Sequence, residues 1–280
     1  MRRTLGWFAL LAIFLLPGCA STPNFDFLYA DEAGQTIARN VDQCLELIGN
    51  RSESHNSALP TEIRLLSWNV EKGNHEAWEA EFSRLSELRN LILTQEALLT
   101  DNTMSGTSDA SFVSLSPGYV REGTVTGVAT YSSAEPLVEC HLASTEPILR
   151  TLKATGIALY DVASNSEDLL VANVHAINFS LGLGEFTRQI QKIEMIVDQH
   201  DGPVILGGDF NTWRPKRFER VAEMAHRTQL RAVEFDEDYR TLFLGHVVDY
   251  IFVRDLTVKT SRVERTESSD HNALIVEFEL

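Results

Sequence analysis

Residues 203–211 read Pro203-Val204-Ile205-Leu206-Gly207-Gly208-Asp209-Phe210-Asn211. A short apolar run bounded by proline and glycine predicts a buried strand, and it ends on a carboxylate and an amide. The same sentence is written elsewhere in the chain. Ile63 to Trp68 is a strand-like run ending at Asn69-Val70-Glu71, and Leu91-Ile92-Leu93 ends at Gln95-Glu96. Leu169 to Val174 delivers His175, Asp249 stands near the start of the run from Val247 to Val253, and Asp270-His271 precede the run from Ala273 to Phe278. A packed core does not need acid–base groups at so many strand ends. A hydrolytic metal site does.

Working outward, Leu256 to Val263 and three or four further segments between Tyr119 and Val162 read as strands, with turns near Gly123, from Ser132 to Pro136 and from Ser144 to Pro147. Apolar residues recur at helical spacing in 37–48, 76–90 and 184–200, and Pro215 sits where a helix favours proline in its first turn. The Ser-, Thr-, Asp- and Gly-rich stretch 101–118 reads as a loop, as do residues 50–61. Many strands, several adjacent in sequence, with a few helices predict two sheets packed face to face and helices outside.

The 280 residues, 44% hydrophobic and 23% charged, suffice for a globular domain with a sizeable core. The amino terminus stands apart. Arg2 and Arg3 precede an apolar run from Trp7 to Leu16 that is too short to span a bilayer, followed by Pro17-Gly18-Cys19. This predicts a secretory leader over 1–18. Leu16-Pro17-Gly18-Cys19 resembles a bacterial lipobox, which implies a lipidated Cys19; an ordinary signal peptide is the plainer alternative. Residues 19–62 then form a tether and an amino-terminal helix, and 63–280 the domain proper. Ala20 after the cysteine places the protein, by analogy, on the outer membrane facing the periplasm. In such an oxidising envelope Cys44 and Cys140 either pair or stay as two buried thiols.

The net charge is −16, and loss of Arg2 and Arg3 with the leader makes it more acidic still. Such a surface repels long nucleic acids, whose non-specific affinity comes from Lys and Arg. It does not exclude phosphate chemistry through a local cation. Glu71, Glu96, Asp209, Asp249 and Asp270, if brought together, cannot all stay ionised without compensation. Oxygen-only ligands point to Mg²⁺ or Mn²⁺ as the compensating ion. Trp213-Arg214-Pro215-Lys216-Arg217 places basic side chains at a helix start, against the helix dipole, which a phosphate-bearing substrate would explain. A solvated loop around a core tryptophan explains it equally well. Arg150, Lys153 and Arg188 are further basic candidates.

Ser67-Trp68-Asn69-Val70, Thr94-Gln95-Glu96, Asn173-Val174-His175, Gly208-Asp209-Phe210-Asn211, Val248-Asp249-Tyr250-Ile251 and Ser269-Asp270-His271-Asn272 resemble, in order, the motifs of the endonuclease/exonuclease/phosphatase (DNase I-like) superfamily. Residues 146–150 and 175–182 look closer still to its YafD-like bacterial branch. The resemblance implies a four-layer α/β sandwich of two mainly antiparallel sheets with helices outside. It implies a Mg²⁺- or Mn²⁺-dependent phosphoesterase or nuclease that cleaves a phosphodiester or phosphomonoester by direct water attack. Carried over by motif, Glu96 is the principal metal ligand, with Asn69 and Glu71 beside it and Asp270 near a second position. Asp209 orients or deprotonates the water, helped by Asn211. His271, oriented by Asp249, contacts the phosphate, and His175 and Asn178 occupy phosphate-contacting positions. The substrate is then a nucleic acid, a nucleotide or a lipid headgroup, and the protein a monomer held at the membrane by Cys19. The rival reading is a non-catalytic envelope lipoprotein that uses the scaffold to bind a partner.

Overall fold

In this computed structural model the structure describes residues 37–51, 57–98, 110–121 and 123–280. The expected leader, Cys19 and the tether to residue 36 lie outside the described residues. In chain order the elements are α1 (Val41–Gly49), β1 (Glu62–Asn69), α2 (Trp78–Ser86), β2 (Leu91–Leu98), β3 (Phe112–Arg121), β4 (Thr124–Ser132), β5 (Val138–Thr145) and β6 (Leu152–Tyr160). There follow β7 (Leu169–His175), α3 (Gly184–Asp198), β8 (Val204–Asp209), α4 (Pro215–Arg227), β9 (Arg231–Ala232), β10 (Leu242–Phe243), β11 (His246–Val247), β12 (Asp249–Arg254), β13 (Thr257–Glu264) and β14 (Ala273–Glu279).

Two six-stranded sheets form, ordered β13-β14-β1-β2-β4-β3 and β5-β6-β7-β8-β12-β9. Each is antiparallel except for one parallel pair, β1 with β2 and β7 with β8. A parallel pair needs a crossover, and α2 and α3 supply it. The carboxyl ends of these four strands carry Asn69, Glu96, His175 and Asp209, so the topology fixes where the site can be.

Strand alternation sorts the core into layers. Ile63 and Leu65 of β1 meet Val171 of β7 and Ile205 of β8 between the sheets. The opposite faces take the helices: Leu66 and Trp68 pack with Phe82 and Leu85 of α2, while Leu170, Leu206 and Phe210 pack with Phe186 and Ile190 of α3 and Val221 of α4. Helices therefore cover both outer faces of the sandwich. The same alternation puts Asn69, Asn173, His175 and Asp209 in register with the inward-facing side chains, at the end where the apolar run stops.

Helix α1 begins later than the periodicity from Ile37 implies, because Asn40 caps it by accepting from the Gln43 amide at 2.9 Å. Ala38 instead bridges to Cys140 on β5. Cys44 and Cys140 are joined by a disulfide between α1 and β5. Of the loop read over 101–118, residues 101–109 lie outside the described residues, and from Phe112 the chain is strand β3. Serine-rich composition suggests a loop, yet Ser114 and Ser116 are buried within the strand. The short strands β9, β10 and β11 carry too few residues for a periodic signal.

Gly208 has φ of 136°, and a Cβ there would stand 2.1 Å from the Val174 carbonyl oxygen. Glycine is required because β7 and β8 approach closely just before Asp209. Gly208→Ala should therefore cost about 3 kcal/mol or more in urea unfolding. A variant as stable as the native chain would refute the close approach.

Candidate active site

Three adjacent strands set the floor of the site. His175 pairs in register with Asp209, and Asp209 with Asp249, so three ionisable side chains stand side by side at one level of the second sheet. Across from them, Asn69 at the end of β1 donates from Nδ2 to Asp209 Oδ2 at 3.1 Å. That bond spans the two sheets.

Glu96 reaches the same space by a backbone irregularity. Thr94 pairs with Ala129 but Ala97 with Gly127, so β2 carries an extra residue relative to β4. Glu96 itself has φ of 53°. A bulge with one residue in the left-handed region re-aims a side chain that the pleat would have sent elsewhere. Asn211 (φ 49°) and Glu71 (φ 45°) also take left-handed backbone, two residues past the ends of β8 and β1.

Asp209 is 3% exposed and accepts from the Asn211 amide at 2.9 Å and from Asn211 Nδ2 at 3.1 Å. Burial pushes its pKa up to about 6; His271 pulls it down and Asp249 adds to the rise. His271 Nδ1 lies 2.8 Å from Asp249 Oδ2. Burial disfavours its charge, yet Asp249 and the hydrogen bond to it win and raise the pKa to about 10. The pair is an imidazolium and a carboxylate, with Nε2–H left for another acceptor. Its backbone is pinned as well: Trp68 Nε1 donates to the His271 carbonyl at 2.8 Å, and Ser269 Oγ to the Asn69 carbonyl at 2.7 Å.

His175 behaves oppositely. Burial and the Lys153 ammonium, 2.8 Å from its Nε2, hold its pKa well below the ordinary 6.5. It is neutral, with Nε2 as the acceptor. Nε2 also lies 3.6 Å from Glu96 Oε1 and 3.7 Å from Asp209 Oδ2. Glu96 is paired with Lys72 through Oε2. Burial works to raise its pKa, but the surrounding positive charge holds it below the ordinary carboxylate range. With His175 neutral, Lys153 and Lys72 carry that effect.

Lys153 is one of the basic candidates of the sequence; Lys72 is not among them, and the structure adds it. One signal was available: Lys153 interrupts the otherwise uncharged strand Leu152–Tyr160 and is 7% exposed. Of the expected metal ligands, Asn69 and Glu96 face the site. Glu71 accepts from the Asp270 amide at 3.2 Å, and the Asp270 side chain is 69% exposed, so these two lie at its edge. Among the described residues, the acids and histidines whose ligand atoms all fall within 4.8 Å are Asp209, Asp249 and His271. Because His271 is already protonated against Asp249, that trio reads as acid–base machinery.

The basic segment divides. Trp213 donates from Nε1 to Asn178 Oδ1 at 2.9 Å, and the Arg214 guanidinium lies 4.1 Å from its ring centre. Arg214 and Lys216 are exposed. Arg217, expected to meet substrate, is instead 1% exposed. Its guanidinium donates to the Ile177, Asn178 and Asn211 carbonyls and to Ser180 Oγ, at 2.5 to 3.0 Å. It holds the 177–180 loop against the Asn211 turn, and these bonds occupy four of its five N–H donors. Arg217→Met should then cost about 3 kcal/mol in thermal unfolding, since four acceptors lose their donor; an unchanged Tm would return Arg217 to the surface. Arg188 pairs with Glu185, away from the site.

Residues 66–271 match the Endonuclease/Exonuclease/phosphatase family. This chain belongs to that family. A UPF0294 protein of Vibrio parahaemolyticus is 36% identical over 251 residues, covering 89% of this chain and 87% of the relative. Among solved structures, an endonuclease/exonuclease/phosphatase family protein from Leptotrichia buccalis superposes with a TM-score of 0.60 at 18% identity, covering 78% of this chain and all of that one. The human Nocturnin catalytic domain with bound sulfate anion gives 0.56 at 17% identity, over 80% of this chain and 96% of that one. At these identities the structures bear on the fold, which is the DNase I-like sandwich. The UPF0294 relative carries the YafD-like resemblance.

Proposed function

We propose that this chain is a metal-dependent phosphoesterase that attacks a phosphate ester directly with water. One observation carries the reading: a buried carboxylate, Asp209, with a pKa of about 6, stands within reach of a protonated His271 locked to Asp249. A base poised near neutrality beside a fixed cationic donor is what proton removal from water and charge stabilisation on a phosphate require. Asp209 takes a proton from the water as the water oxygen bonds to phosphorus. The bond from phosphorus to the leaving ester oxygen breaks, and that oxygen takes its proton from solvent. Asn69 and Asn211 hold Asp209 in place. His271 donates from Nε2 to a phosphate oxygen, and the buried Lys153 adds positive charge beside His175.

The donor set also fits a hard cation. Glu96, with Asn69, Glu71 and Asp270 nearby, offers only oxygens, and its carboxylate already attracts the Lys72 ammonium. Mg²⁺ or Mn²⁺ bound there would neutralise charge developing on the leaving oxygen. Sulfate on the Nocturnin domain, a tetrahedral anion on the same fold, supports an oxyanion substrate.

Hydrolysis of bis(4-nitrophenyl) phosphate and 4-nitrophenyl phosphate should depend on Mg²⁺ or Mn²⁺ and stop with EDTA. No turnover of these, of single-stranded DNA, of nucleotides or of phospholipid would favour the non-catalytic partner-binding reading. We propose further that Cys19 is lipidated and holds a monomer to the outer membrane on its periplasmic side, a setting in which the disulfide can persist. Labelled palmitate should enter the native chain and not Cys19→Ala; equal incorporation removes the anchor.

A further inference from the structure

Eleven large apolar side chains are exposed among the described residues, and seven of them fall in three short segments. These are Ile148 and Leu149 in the β5–β6 turn, Phe179 and Leu181 after β7, and Leu242, Phe243 and Leu244 in the β10–β11 hairpin. Hydrogen bonds and ring contacts join the three. Glu146, at the base of the first segment, accepts the Asn178 and Phe179 amides at 2.8 and 2.7 Å. Asn178 in turn accepts from Trp213, whose ring meets Phe243 edge-on at 6.2 Å. The 178–181 loop follows directly from His175 and Ala176, so this apolar patch rims the mouth of the site.

Two of the tips are shaped to present leucine to solvent. Ser180 Oγ donates to the Gly182 carbonyl at 2.7 Å, closing a tight turn that leaves Leu181 92% exposed. Leu244 and Gly245 form the hairpin turn with φ of 51° and 81°. A two-residue turn with positive φ at both positions favours Asn-Gly. Leucine there is conformationally disfavoured and 70% exposed, so neither packing nor backbone preference accounts for it.

We propose that these three tips form a docking rim that seats the catalytic mouth on a lipid bilayer carrying anionic headgroups, which makes a phospholipid phosphate the group delivered to the site. The proposal rests on the phosphoesterase reading for its chemistry but not for its docking. Charge singles out the occupant. The chain carries a net −16, yet exposed Arg150 follows Leu149 directly and exposed Arg214 lies over the Trp213 ring that meets Phe243. Apolar side chains with cations beside them match the headgroup boundary of an anionic membrane. Chain length agrees. Ala38 bridges to Cys140, and the end of β5 at Thr145 is about 17 Å further along the strand. The 18 residues from Cys19 to Ile37 can span roughly 60 Å, so anchoring at Cys19 leaves the rim free to reach the same bilayer.

The test uses the mature chain purified in detergent and mixed with vesicles of phosphatidylcholine, alone or with phosphatidylglycerol. An environment-sensitive fluorophore on Leu244→Cys should shift to the blue with the anionic vesicles, while one on Met195→Cys, on the outer face of α3, should stay solvent-like. A Leu244 probe that ignores both kinds of vesicle overturns the docking rim. Leu242→Ser/Leu244→Ser should keep hydrolysis of bis(4-nitrophenyl) phosphate within about twofold and lower hydrolysis of vesicle phospholipid by about tenfold or more. Equal rates on vesicles for variant and native chain also overturn it. If the native chain hydrolyses neither substrate, the phosphoesterase reading fails, and the fluorescence still decides the docking.

Discussion

Asp209→Asn should lower kcat on a soluble phosphodiester by about 10³-fold, since general-base catalysis and positioning at this residue act together. The substitution keeps the shape of the side chain and removes its capacity to take a proton. It also turns a donor toward Asn69 or Asn211, both of which now donate to Asp209. That mismatch costs about 1–3 kcal/mol, little enough for a domain of this size to stay folded, which circular dichroism would check. His271→Ala should fall by about 10²-fold or more, because Asp249 cannot replace the lost imidazolium. The two residues serve one transition state, so the double variant should lose much less than the product of the single losses. Single variants that retain activity within about tenfold of the native chain would remove Asp209 and His271 from the chemistry. Activity that persists in Asp209→Asn but vanishes with EDTA would move the base to another group.

Strand ends were legible because their local grammar is short-range. In β8, Pro203 opens the run, the glycines permit close approach, and period-two alternation places Asp209 on the inner face with Ile205. The same rule places His175 with Val171 and Asn69 with Leu65. Which strands lie side by side was not legible. Nothing in residues 169–254 states that β12 pairs with β8 so that Asp249 meets Asp209, since that depends on packing across the whole sheet. The family resemblance supplied what local physics could not.

The bulge at Glu96 was illegible for another reason. Alternation from Leu91 and Leu93 would put Gln95 inward and Glu96 outward, and only the register shift against β4 brings the carboxylate round. Gln95 does point inward, donating from Nε2 to Asn173 Oδ1 at 2.8 Å. Arg217 erred in the opposite direction. A basic run beside an active-site motif reads as substrate contact, but helix geometry turns position 217 toward the core while 214 and 216 stay outside. A single lysine in a strand usually faces water, whereas a neutral histidine and a carboxylate compensate the burial of Lys153.

Reducing the Cys44–Cys140 bond should destabilise the protein by about 4.5 kcal/mol. The two cysteines are 96 residues apart in sequence. The effect of a cross-link comes mainly from the freedom it removes from the unfolded chain and grows with the length of the loop it closes. Both sulfurs are fully buried in the core beneath the helices, beside Val41, Ile48 and Leu142. The reduced protein keeps those apolar contacts, so native chain with and without reductant isolates the cross-link. Cys44→Ala/Cys140→Ala should lose somewhat more, because it also empties buried volume. The bond further secures a sheet edge. Ala38 extends β5 through hydrogen bonds from its amide to the Glu139 carbonyl at 3.2 Å and from the His141 amide to its own carbonyl at 2.8 Å. With α1 released, that edge should exchange its amide hydrogens before the rest of the second sheet does. Urea unfolding in both redox states supplies the measurement, with hydrogen exchange at His141 as the local readout. A difference under about 1 kcal/mol would mean that packing alone holds α1 and that the long loop is already restricted in the unfolded chain.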